Sequence, residues 1–191
     1  MIRVFAIIAA FMLAAQTFAA DAPAKEAPKA PPKPAEYIIG EMHQQTIPAQ
    51  DFIYGSAETT FEKLGDVINK YIPLLVAGIK DGKIIQKGSA MFIYKGIGED
   101  MSKPFTLEVG WCVSEGAKDV GELKVRKAAE FKCATILFTG SLSNIGKAYE
   151  KLMPAVMAAG LKPSGESREM YLYFESPESV NNVVQIQMGV K

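Results

Sequence analysis

The chain has 191 residues, room for one domain or two small ones, and its 49% hydrophobic and 22% charged residues are ordinary for a globular core. Lys plus Arg and Asp plus Glu both number 21, so the formal net charge is zero and gives no electrostatic case for nucleic acid or an anionic membrane as a partner. One histidine, His43, and two cysteines, Cys112 and Cys133, cannot supply the ligand set of a structural zinc site.

Residues 1–20 read as a secretory signal peptide. Arg3 makes a short basic start, residues 4–15 form an apolar run too short for a typical membrane span, and the small residues Thr17, Ala19 and Ala20 place cleavage after Ala19 or Ala20. An uncleaved anchor is the alternative. Export makes the mature protein periplasmic or secreted, with no stable membrane anchor after cleavage. In that compartment a disulfide between Cys112 and Cys133 can persist, or both can be small buried apolar residues. Residues 21–36 (DAPAKEAPKAPPKPAE) have little to bury and several prolines, the composition of a disordered or polyproline-like tether.

The globular domain spans 37–191. Strands are expected at 41–46 and 52–57, followed by a helix capped by Thr59 or Thr60. Leu64, Val67, Ile68, Tyr71, Ile72 and Leu75 recur along it at helical spacing. Pro73 falls inside this pattern and is expected to bend or interrupt the helix. Strands at 89–94 and 105–113 follow. The order then repeats, with strands at 123–127 and 131–138, a helix opened by Ser141 or Ser143 and carrying Ile145, Tyr149, Leu152, Met153 and Val156, and strands at 170–174 and 183–190.

The two copies match in detail. Leu64-Gly65 falls on Ile145-Gly146, and Ile72-Pro73 on Met153-Pro154 at the same spacing. Met91-Phe92-Ile93-Tyr94 falls on Met170-Tyr171-Leu172-Tyr173, and Leu107-Glu108-Val109-Gly110 on Ile186-Gln187-Met188-Gly189. A proline repeated inside a helix is hard to obtain by chance. The expected fold is α+β: two β-β-α-β-β units, about 37–116 and 121–191, forming two antiparallel-sheet halves with pseudo-two-fold symmetry and a central cleft.

Strand parity assigns faces. Leu107, Val109, Trp111 and Val113, with Ile186, Met188 and Val190, are expected to face the helices. In the 170–174 strand, Met170, Leu172 and Phe174 form an apolar side suited to a core. The opposite side, away from the helices, is expected to gather Glu108, Gln187, Phe92, Tyr94, Glu169, Tyr171 and Tyr173. Aromatic faces beside carboxylates suit a cationic or amphipathic small molecule. A solvated polar sheet face is the plain alternative.

With Arg168-Glu169-Met170-Tyr171-Leu172 and the closing Gln185-Ile186-Gln187-Met188, the duplicated units resemble the GyrI-like effector-binding domain, also found as the C-terminal half of AraC-type and MerR-type multidrug-responsive regulators. The resemblance covers about 41–191. It implies a ligand cleft between two four-stranded units, with Glu169 as the acid at its base and Tyr171 and Tyr173 beside it. It also implies a further acid at Glu108. The family often has Thr-Glu-Ile where this chain has Val184-Gln185-Ile186, so one possible negative charge is missing.

Two functions follow as expectations. The first is an exported small-molecule-binding domain with Glu169 as charge anchor and Phe92, Tyr94, Tyr171 and Tyr173 as walls. The second is a hydrolase of strained or electrophilic compounds in the same cleft, using Glu108 or Glu169 with Tyr171; Trp111 has the wrong parity to join them. A module binding a protein partner is a third possibility. No serine sits in a nucleophile elbow. Gly96-Ile97-Gly98 is too short for a dinucleotide fingerprint, and no cofactor is expected.

Overall fold

The computed structural model describes residues 36–98 and 100–191, so the leader and all of the tether but Glu36 lie outside the described residues. In chain order the elements are β1 (Tyr37–Ile39), β2 (His43–Ile47), β3 (Gln50–Thr59), α1 (Leu64–Lys80), β4 (Gln86–Lys95) and β5 (Phe105–Val113). The second half holds β6 (Lys124–Ala128), β7 (Phe131–Gly140), α2 (Gly146–Ala158), β8 (Pro163–Tyr173) and β9 (Val183–Val190). Each helix is entered through a single 3-10 turn, Phe61–Lys63 or Leu142–Asn144, and neither turn makes a side-chain capping bond.

Of the expected bend or interruption, the interruption does not occur: both helices continue through their prolines. Pro73 and Pro154 lie on the exposed sides of α1 and α2. There, water can satisfy the carbonyl four residues back, and the ring meets no packed neighbour.

The two expected halves fuse into one antiparallel nine-stranded sheet in the order β1-β7-β9-β8-β4-β5-β3-β6, with β2 also on β7. The seam is β4 against β8, where Phe92 pairs with Glu169 and Ala90 with Tyr171. The first strand of each unit docks on the other unit: β2 pairs with β7, and β6 with β3. Only Pro48-Ala49 joins β2 to β3, and Ala129-Glu130 joins β6 to β7. Register also refines the repeat. Phe92 pairs with Val109, whereas Tyr171, its match in sequence, pairs with Val184 and not with Met188. The two strand matches are therefore not structurally equivalent at one spacing.

The helix side of the sheet carries two cores. Tyr71 and Leu75 of α1 pack with Ile53, Leu107 and Val109; Leu152 and Val156 of α2 pack with Ile136, Phe138 and Ile186. The helices sit chiefly over the outer strands, α1 on β3 and β5 and α2 on β7, so the β4–β8 seam lies between them. Tyr171 touches both cores. The opposite face has its own buried cluster of Phe52, Met91, Ile93, Cys112 and Ala128. Cys112 and Cys133 are buried free thiols on β5 and β7, which are separated in the sheet by β4, β8 and β9. Burial raises both thiols, Cys133 to about 11.

α1 lies so close to β3 that a Cβ at Gly55 would run into the ring of Tyr71, whose hydroxyl donates to the Ser56 carbonyl at 2.9 Å. Gly55→Ala is expected to destabilise the domain by about 1–3 kcal/mol through overpacking. Urea unfolding would measure this, and an unchanged midpoint would show that the helix can retreat without cost.

Candidate functional site

The site forms at the β4–β8 seam on the helix side of the sheet. Directly paired residues in an antiparallel ladder share a face. Val109, Phe92, Glu169 and Ile186 therefore form one cross-strand row pointing toward the helices, and Trp111, Ala90, Tyr171 and Val184 form the next.

Glu169 is the chemical centre. Its residue is 6% exposed. One carboxylate oxygen accepts from the Tyr94 hydroxyl at 2.9 Å and the Tyr171 hydroxyl at 2.8 Å; the other accepts from Tyr149 of α2 at 2.9 Å. Among the described residues no Lys or Arg forms an ion pair with it. Aromatic faces surround the group: Phe92 lies 4.8 Å from Tyr171 between ring centroids, and Phe174 meets Tyr171 edge-on at 6.2 Å.

Burial penalises the charged carboxylate and raises Glu169 above its ordinary range, and the three phenol bonds act in the opposite direction. The phenols are pushed well up, first by burial and then by the adjacent anion, so all three remain donors at neutral pH. The arrangement stabilises a buried anion by hydrogen bonding alone. When ionised, the carboxylate has no compensating cation among the described residues, a property that suits a cationic group more than a neutral one.

Several expected residues lie elsewhere. The pleat places Glu108 opposite Ile93 and Gln187 opposite Arg168, all on the face away from the helices. Glu108 and Glu169 thus point to opposite sides of one sheet. Glu108 is 5% exposed and bound by Lys95 Nζ and Arg126 Nη2, each at 2.6 Å. Gln187 is fully buried and donates to Gln185. Tyr173 leaves this group because the β8–β9 register shifts between Tyr171 and Tyr173; its exposed hydroxyl donates to Glu175 at 2.7 Å. Phe174 takes its place beside Tyr171.

Phe92 and Tyr94 were expected on the same side as Glu169 and are there, but that side faces the helices. The supposed core side of β8 is more open, with Leu172 48% exposed. Trp111 shares the Glu169 side after all, through the pairing of Ala90 with both Trp111 and Tyr171. Helical spacing identifies Tyr149 only as a core position of its helix. Its signal lay in the repeat, because the helix match puts its hydroxyl where the first unit has Ile68.

A family model described as GyrI-like small molecule binding domain matches residues 40–191. Among solved structures, the chain is similar to the C-terminal domain of EcmrR, with a TM-score of 0.68 and 17% identity over 80% of this chain and 98% of that one. It is similar to SAV2435 bound to tetraphenylphosphonium, with a TM-score of 0.60 and 11% identity over 79% and 94%. A hydrolase from Listeria innocua gives a TM-score of 0.55 and 13% identity over 79% and 92%. At these identities the likeness is one of fold. No curated protein matches by sequence.

Because Glu169 is raised in the folded state, its contribution to stability is greatest below the unfolded carboxylate value. That contribution is lost as pH rises through the folded midpoint. Wild-type melting temperature is therefore expected to fall with pH across that window, and Glu169→Gln to flatten this dependence and melt higher at neutral pH. Calorimetric scans of both proteins would check this; parallel curves would contradict it.

Proposed function

Because the chain belongs to the GyrI-like small molecule binding family, we propose that its cleft takes an amphipathic, cationic, aromatic ligand. The observation that carries this reading is Glu169, a buried carboxylate held by three phenols, flanked by aromatic rings and without an ion-pair partner among the described residues. A lipophilic cation would supply the missing positive charge and stack on Phe92, Tyr171 and Phe174. The rings fill the seam in this state, so a ligand enters by displacing them. SAV2435, of similar fold, was solved bound to such a cation, tetraphenylphosphonium.

The hydrolase reading keeps one carboxylate. Glu108 is on the far face, which removes any mechanism using both acids. On this reading Glu169, raised by burial, would be the general base, with Tyr171 bonded to it and Trp111 on the same face. A solved structure of similar fold is titled a hydrolase. Turnover of epoxide or ester substrates by the wild type, lost in Glu169→Gln, would favour it over simple binding.

Export remains part of the proposal. It is supported by the basic start, apolar run and small-residue cleavage region of 1–20. The full chain expressed in a bacterium is expected to yield a periplasmic or secreted product starting at Ala20 or Asp21. A cytoplasmic product retaining Met1 would refute it.

Titration calorimetry with tetraphenylphosphonium tests the binding reading. Glu169→Gln is expected to lose about 1–3 kcal/mol of affinity, while Glu108→Gln leaves affinity within about twofold because it lies across the sheet. Wild-type affinity should rise with pH through the Glu169 midpoint, since only the anion attracts the cation. Equal binding by wild type and Glu169→Gln would sink the anchor role.

A further inference from the structure

Glu169 faces the phenols only while β8 keeps its register, which the β4–β8 ladder holds without a break over 166–171 but the β8–β9 ladder does not. The β8–β9 ladder is irregular between Pro163 and Ser167 and again between Tyr171 and Tyr173, leaving 167–171 as the regular stretch. A slip of one residue exchanges the two faces of a strand. Here it would bring Arg168 under the phenols and send Glu169 to the other side.

Arg168 sits in the middle of that stretch and is itself 4% exposed on the far face. Its Nε and Nη2 both donate to one oxygen of Glu166, at 2.8 and 2.7 Å. Its guanidinium lies 3.7 Å from the ring centroid of Phe131 at the start of β7. The side chain thus ties β8 to itself and to a strand two places away in the sheet. A buried guanidinium has no comparable partner on the aromatic side, where among the described residues Glu169 is faced by Tyr94 of β4, Tyr149 of α2 and Tyr171 of β8.

We propose that Arg168 is a positioning residue for the ligand site: held by Glu166 and Phe131 on one face, it pins β8 so that Glu169 stays beneath the three phenols on the other. This inference rests on the binding reading for its functional meaning but is testable without ligand. The readout is the titration midpoint of Glu169 in the unliganded protein, followed by the carbon-13 shift of its carboxyl group.

Loss of positioning and loss of charge have opposite signs. Removing a nearby cation alone would raise a carboxylate midpoint, whereas a β8 freed from its pin opens the seam to water, and the loss of burial, the largest cause of the rise, lowers it. Arg168→Met is expected to lower the Glu169 midpoint and to weaken tetraphenylphosphonium binding at least tenfold. Arg168→Lys, which keeps a cation over Phe131, should restore most of both. Glu166→Gln, changing a half-buried partner, should shift the midpoint in the same direction by less. If Arg168→Met does not fold, Glu166→Gln decides: a downward shift supports the proposal.

A midpoint that rises or stays put in Arg168→Met, or in Glu166→Gln where Arg168→Met does not fold, overturns it. Should the wild type bind no tetraphenylphosphonium, the cation reading fails, and the midpoint still judges whether Arg168 positions Glu169.

Discussion

A single buried carboxylate organises the centre of this protein. An anion removed from water must either lose its charge or be met by donors, and Glu169 is met by three phenols drawn from β4, β8 and α2. Each of those elements must be fixed for the bonds to form at once. The seam between the halves, the placement of α2 and the register of β8 are thus constraints on one another. Burial raises the carboxylate and the phenol bonds oppose that rise.

The duplicated scaffold explains where that centre lies. Each half carries its helix over its outer strands, so the joined central strands remain for aromatic side chains to fill. The symmetry is broken in chemistry. The helix of the second half contributes Tyr149 where the first has Ile68, and the acid comes from β8 alone. The far face holds the complementary arrangement, with buried Arg168 and Glu108 bound to Glu166, Lys95 and Arg126. Opposite charges at adjacent positions 168 and 169, on opposite faces, make the strand's orientation chemically distinct from its slipped alternative.

Much of this was legible in the chain. Helix spacing around Tyr71 and Leu152, the repeated proline and the closing strand at 183–190 follow from local periodicity, which neighbouring residues set directly. Glu169, Tyr171, Phe92 and Tyr94 could be picked as a group because the motifs recur. What parity could not reveal was which side of the sheet each strand presents. Period two sorts residues within a strand but carries no sign between strands, so Glu108 and Gln187 were placed with Glu169 although the pairing separates them. The shift after Tyr171 is equally silent in sequence, because a bulge is an agreement between two strands.

By itself, then, the sequence determined the α+β class, the duplication, the positions of both helices and the residue types available for a ligand. Those properties depend on local spacing and on the composition of short segments. Only the tertiary structure decided that the halves merge at β4 and β8, that Glu169 looks toward the helices, that Tyr149 bonds it, and that Trp111 shares its face and Phe174 meets Tyr171 while Tyr173 leaves. Such choices are made by hydrogen-bond register between strands and by helix placement across long separations in the chain. They are settled by which buried polar groups find partners together.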